Sequence, residues 1–214
     1  GIVGRTLKSS VKKVIANDIE FYSYVLNRNY IENGKGMPER NGFIDQLNAL
    51  PMIDNGFIYK NYCLGGSGER QYFSDSNGKK IDTMRQTIED WKSCGIIEDG
   101  LYYFLLCSLI ESADKVANTA SVYGAYLKKI KASAQKELVL QPAEFELSDN
   151  DNVVFNKDAN ALIREIEGDI LYVDPPYNAR QYGANYHLLN TIAEYKSFTP
   201  QGKTGLRKYE RSKY

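Results

Sequence analysis

Apolar positions change their period twice along this chain. Near the start, "KKVIAND" (12–18) is a short apolar run ending on Asn17 and Asp18, and it predicts a buried strand. "IEFYSYVLNRNYIEN" (19–33) then sets Ile19, Tyr22, Val25, Leu26 and Ile31 at helical spacing. Strand, acid, helix is half of a βαβ unit. Residues 1–10 are expected to hold the exit of a loop and a first helix.

The pattern shifts after residue 33. "ENGKGMPERNGF" and "CLGGSGERQYFSDSNGKK" are rich in Gly, Asn, Ser and charge, so they read as loops. Three helices are predicted next, over about 78–93, 98–117 and 120–135; the first places Ile81, Met84, Ile88 and Trp91 on one face. Strand alternation is missing here, which predicts a mostly helical insertion over 34–144. The α/β pattern returns in "NVVFNKDANALIREIE", with a short strand, Asp158 and a short helix. "GDILYVDPPY" is the most strand-like stretch of the chain. Its core "ILYV" is apolar on both faces, as a central parallel strand should be. Helical period resumes over 183–195, and the tail from 198 is polar and basic. The fold class predicted is α/β.

Composition changes this picture little. Lys+Arg and Asp+Glu are 27 each among 214 residues, so net charge gives no global nucleic-acid signature. Seventeen tyrosines against eight phenylalanines suit wet clefts and base stacking, or simply AT-rich coding. The three cysteines lack metal-ligand spacing and are read as reduced thiols, and the single histidine, His187, cannot make a zinc site alone. No apolar run approaches membrane-spanning length and no signal-peptide pattern is seen, so a cytoplasmic protein is expected.

The chemistry concentrates in "DPPYN" (174–178). It follows the predicted strand at its carboxyl end, where α/β folds keep their ligand crevices. Two prolines fix the loop and leave carbonyls facing outward with few donors nearby. Asp174 adds an acceptor and Tyr177 a flat face. Such a slot fits a planar ring bearing an amine with two N–H donors, as in the 6-amino group of adenine. Held by Asp174 and the Pro175 carbonyl, that nitrogen could attack an electrophilic methyl by positioning and electrostatics alone.

Here the chain resembles the Dam-like adenine-specific DNA methyltransferases, which use S-adenosylmethionine (SAM). "YVDPPYN" (172–178) resembles their catalytic motif, which implies Asp174, Pro175, Pro176 and Tyr177 as catalytic residues, with Asp174 also near the cofactor. "VIANDIE" (14–20) is similar to the segment whose acid holds the SAM ribose hydroxyls, implying that role for Asp18. "VFNKDANAL" (154–162) is similar to the segment whose acid meets the SAM adenine amine, implying Asp158. "GIVGR" (1–5) resembles the end of a Phe-x-Gly-x-Gly loop, with Gly1 its last glycine. "VANTASVYGAYLKK" (116–129) sits where these enzymes keep a DNA-reading segment, which makes Tyr123, Lys128 and Lys129 candidate DNA contacts, with Asn178 and Arg180 beside the motif.

The resemblance implies a Rossmann-like SAM-binding sheet with helices on both faces, formed by 1–33 and 145–214. It implies a target-recognition insertion over 34–144. It further implies duplex DNA as substrate, base flipping, no metal, a prokaryotic or phage source near the nucleoid, and a possible cognate restriction endonuclease. The front of the glycine loop is not in this sequence, so a piece of a longer protein is expected, and a match to the GATC-reading loop is lacking. A truncated, non-catalytic DNA-binding remnant and an RNA adenine methyltransferase stand as alternatives. Glutamine methylation fits less well, because such enzymes carry Asn in place of Asp174. Asp18 and Asp158 could also simply cap helices. Arg70, Lys79, Lys80 and Arg85 could meet phosphate or only solvent, and Trp91 is expected in the core.

Overall fold

The computed structural model describes residues 1–175 and 181–209. Two strands and ten α-helices are formed among them. β1 (Ile15–Asn17) and β2 (Val153–Phe155) pair in parallel, with Ile15 opposite Val153 and Asn17 opposite Phe155. The ladder is extended by Val153 N donating to Val14 O (3.0 Å) and Asp18 N to Phe155 O (3.2 Å). Asn152 locks the register: its Oδ1 accepts from Val14 N at 2.8 Å and its Nδ2 donates to Ile31 O at 3.2 Å.

The N-terminal helix α1 (Ile2–Leu7) leads to Lys8, which is fully buried. Its ammonium donates to the carbonyls of Tyr30, Asn33 and Glu146, and burial lowers its pKa. Two of these carbonyls, those of Tyr30 and Asn33, belong to a helix end that would otherwise leave them unpaired. The helix capped in this way is α2 (Phe21–Asn27), which runs on through a π turn at Arg28–Glu32.

α6 (Asp99–Lys115) is the centre of the molecule. It is apolar on most of its circumference, as a helix surrounded on all sides must be. α5 (Asp75–Ser93) packs along it, with Ser74 Oγ accepting from Asn77 N at its start. α2, α3 (Arg40–Asn48) and α10 (His187–Glu194) complete the surround, and α4 (Phe57–Tyr62) packs on α5. One apolar cluster runs from Val25 to Ala193, so segment 34–144 and its flanks share a core.

β1, β2 and the helices at 19–33, 78–93 and 98–117 form where the sequence predicts them. The 183–195 helix breaks at Tyr186 into α9 (Tyr182–Asn185) and α10. Two helices, α3 and α4, arise in a region expected to be loop-rich. α4 is held from outside: Asp82 of α5 accepts from Ile58 N and Tyr59 N, both at 2.8 Å.

The helix predicted over 120–135 does not form. Only α7 (Ala132–Gln135) is helical. Asn118 organises the stretch instead. Its Nδ2 donates to Gln71 O and Leu127 O (2.9 Å each), and its Oδ1 accepts from Lys131 N at 3.0 Å. The local sequence, with Thr119, Ser121, Val122 and Gly124, has weak helix propensity to set against this.

The central strand predicted at "ILYV" is likewise absent. Ile170 is 90% exposed and Leu171, Tyr172 and Val173 are 62–64% exposed. A strand exists only through its neighbours. Among the described residues β1 and β2 pair with each other, and none lies alongside 170–173. The fold seen is therefore mixed α/β with a small parallel sheet and many helices.

Candidate active site

The loops that leave β1 and β2 are laced together at the carboxyl edge of the sheet. Asn17 Nδ2 donates to Lys157 O, and Lys157 N donates back to Asn17 Oδ1, both at 3.0 Å. Asn156 Nδ2 donates to the carbonyls of Asp18 (2.7 Å) and Ile19 (2.9 Å). Two asparagines thus hold two acids, Asp18 and Asp158, just beyond the ends of adjacent parallel strands. The sequence carries a signal for this in the Asn that closes each apolar run, Asn17 at the end of β1 and Asn156 just after β2.

Asp18 is half-buried. Its Oδ1 accepts from Glu20 N at 2.9 Å and its Oδ2 from Ser23 Oγ at 2.5 Å, so it fixes the entry to α2. A carboxylate has about four acceptor positions, so these bonds leave others for a ligand. Glu20 accepts from Asn190 Nδ2, and burial, together with the charge of Asp18, raises its pKa. Asp158 is exposed and caps α8 (Ala159–Leu162), its Oδ1 accepting from Ala161 N at 3.0 Å. Asp158 therefore fills the capping role the sequence allowed for, whereas Asp18 braces the turn before α2, whose N-cap is Glu20.

Beside them opens a cleft of about 550 Å³. Ile19, Phe21, Asn156, Glu89, Tyr195 and Lys196 are among its walls; Asp18 and Asp158 are not, although Ile19 follows Asp18 directly and Asn156 lies two residues before Asp158. Gly1 caps α1 at the surface, with Gly4 pressed against Ile31 and Val14. Asp174 and Pro175 are exposed. Pro176, Tyr177, Asn178 and Arg180 lie outside the described residues.

The candidate DNA contacts divide. Lys128 and Lys129 are exposed and make no ion pair among the described residues. Tyr123 is fully buried: its hydroxyl donates to Asp114 Oδ1 at 2.6 Å, and burial raises its pKa well above the usual tyrosine value. That placement gives its ring to the core rather than to a nucleic acid.

The other cations are committed to structure as well. Arg85 is buried and donates to Ile192 O and Ala193 O, closing the end of α10, while its Nη1 meets Glu89 at 2.8 Å. Lys79 and Lys80 pair with Asp54 (2.5 Å) and Glu137 (2.6 Å). Arg70 donates to the carbonyls of Asn61, Gly202 and Lys203. His187 is buried with Nε2 3.0 Å from Tyr123 O; its Nδ1 has no partner among the described residues, and burial pushes its pKa down to about 4. Trp91 is partly buried and meets Phe43 edge-on.

Parallel strands, a crevice at their carboxyl edge and an acid beyond each strand outline the ligand site of an α/β enzyme. The chain belongs to the D12 class N6 adenine-specific DNA methyltransferase family, whose profile matches residues 1–214. It is 62% identical over 214 residues to the type II methyltransferase M.NlaIII of Neisseria lactamica, covering 100% of this chain and 64% of that protein. It is 42% identical over 206 residues to M.CviAII of Paramecium bursaria Chlorella virus 1, covering 94% of this chain and 60% of the relative. It is 38% identical over 223 residues to M.FokI of Planomicrobium okeanokoites, covering 100% of this chain and 34% of the relative. The chain thus spans less than two thirds of the length of these relatives. No solved structure matches it. No helix among the described residues is long and apolar enough to cross a membrane.

Proposed function

We propose that this chain carries the catalytic chemistry of a methyltransferase that moves a methyl group from SAM to the 6-amino group of adenine in duplex DNA. The observation that carries the reading is the family match over the whole chain, with the "DPPY" run inside it and Asp174 exposed. Chemistry on a base inside the stack requires that the base be extruded, at a few kcal/mol. Asp174 and the Pro175 carbonyl accept from the adenine amine and orient its nitrogen. Tyr177 offers a face to the extruded ring, and base–aromatic stacking of about 1–3 kcal/mol offsets much of the extrusion.

The residues present fit SAM. Asp18 keeps acceptor capacity for two ribose hydroxyls, and Asp158 faces solvent from the neighbouring strand end. Ile19 and Phe21 give the adjoining cleft apolar walls, and its volume of about 550 Å³ lies within the usual range for small-molecule sites. When bound, SAM supplies an electrophilic methyl on a sulfonium. The protein's part is to hold the cofactor at the strand ends, orient the amine and exclude water.

The wider reading includes a Rossmann-like sheet larger than the β1–β2 pair, built from 1–33 and 145–214, and a target-recognition role for 34–144. It also includes action in the cytoplasm. A cognate restriction endonuclease fits the relatives' names, which include type II methyltransferases and modification methylases.

The test is transfer of tritium from labelled SAM onto duplex DNA, RNA and protein side by side. Label recovered as N6-methyladenine in DNA is the expected result. Label only in RNA reassigns the substrate. No SAM binding by the folded protein, read by calorimetry, would favour a DNA-binding remnant.

A further inference from the structure

A second cleft, of about 510 Å³, lies beside the first. Its wall includes Lys196, Arg207 and Lys208 with Ser197, Thr199 and Gln201, and no carboxylate among the described residues. That is a local excess of positive charge in a chain of zero formal net charge. Lys196 lines both clefts, so the two adjoin just beyond the end of α10. Glu194 is nearby, paired with Arg207 at 2.9 Å and with Lys196 at 3.7 Å, which leaves Lys208 as the wall's cation without an ion pair among the described residues.

A tight turn flanks the cleft. Gln201 and Leu206 bond each other in both directions (2.9 and 2.8 Å), leaving 202–205 as the tip. Gly202 and Gly205 have φ of +63° and +68°. A Cβ at Gly205 would lie 2.8 Å from both Tyr62 and Arg70, so only glycine fits. Arg70 takes the carbonyls of Gly202 (3.0 Å) and Lys203 (3.1 Å), and Tyr62 Oη donates to Gly205 O at 2.7 Å. Three of the tip's acceptors are thus turned inward and occupied. What remains toward solvent is the Lys203 ammonium, with Lys208 close in sequence; both are exposed and make no ion pair among the described residues.

We propose that this cleft and the Gly202–Gly205 turn grip backbone phosphates of duplex DNA beside the extruded base. Acceptors hidden, cations and hydroxyls displayed, and a position next to the first cleft together suit a phosphodiester chain. The proposal rests on the DNA-methyltransferase reading above. It gives the basic tail a role, and it gives Arg70 a positioning role in place of direct phosphate contact.

The test is fluorescence anisotropy with a labelled duplex across a salt series. Lys203→Gln and Lys208→Gln each flatten the log–log salt dependence by about 0.9, and the double variant by about twice that. Affinity falls alike for all duplex sequences, Lys203→Arg restores it, and SAM binding is unchanged. Lys12→Gln, changed before β1 at the opposite edge of the sheet, leaves the slope intact. Wild-type protein that binds duplex DNA while the double variant keeps its slope overturns this proposal alone. Protein that binds only RNA overturns the DNA reading and this proposal with it. Selective displacement of duplex by low concentrations of inorganic phosphate assigns the cleft to a free anion and also overturns the proposal.

Discussion

Residues 101–110 (LYYFLLCSLI) and 170–173 (ILYV) are alike in apolar character, and the structure treats them oppositely. The first lies in α6, with Phe104 through Leu106 wholly buried. The second forms no element, and Ile170 is 90% exposed. A helix closes its backbone hydrogen bonds within itself, so α6 needs from its surroundings only apolar faces, which α5, α3, α2 and α10 provide. A strand closes its bonds through neighbours. The β1–β2 pair has each other; 170–173 has no partner among the described residues. Helical order is therefore set within this chain, while the order of the segment leading to Asp174 depends on what lies beside it.

Four changes probe that contrast. Phe104→Ala empties the middle of α6 and is expected to cost about 3–5 kcal/mol, read as a lowered urea midpoint. His187 probes the same core through pH. Its pKa is lowered from 6.5 to about 4 by burial, so between these values the unfolded chain binds the proton and the folded one does not. Its contribution to stability is fully present above pH 6.5 and is lost as pH falls toward 4, by about 3 kcal/mol in all. His187→Gln removes that slope in urea titrations run at successive pH values. Asp158→Ala tests the strand ends: loss of the cap costs at most about 1 kcal/mol without SAM, whereas loss of a cofactor contact weakens SAM binding about tenfold in calorimetry. Val173→Ser gives the smallest effect. An exposed side chain leaves stability within about 0.5 kcal/mol, and a loss of 2 kcal/mol or more would mean that 170–173 is packed.

Legibility in the sequence follows the same division. The strand before Asp18, the helix from Phe21 and the α5–α6 pair carry periodicity strong enough to place them. The missing helix at 120–131 was lost to Asn118, whose side chain bonds residues 71, 127 and 131, a long-range competition that no local window contains. α4 was hidden for a related reason, since its start is capped by Asp82 from another helix. Of the candidate site, Asp18 and Asp158 were legible as acids following the two apolar runs that form β1 and β2. Tyr123 was misplaced because aromatic interleaving with lysines looks the same whether a ring faces DNA or, as here, donates to Asp114 inside the core. The turn at 202–205 was unreadable because the side chains that hold it, Arg70 and Tyr62, lie more than a hundred residues away.

Asp174→Ala tests the central claim most directly, with tritium transfer into duplex DNA and SAM affinity measured on the same protein. Because the carboxylate is exposed, the variant should fold and bind SAM as the parent does, and transfer should fall to background. Transfer at the parent's rate would contradict the account, since the amine would then be oriented without the residue assigned to hold it.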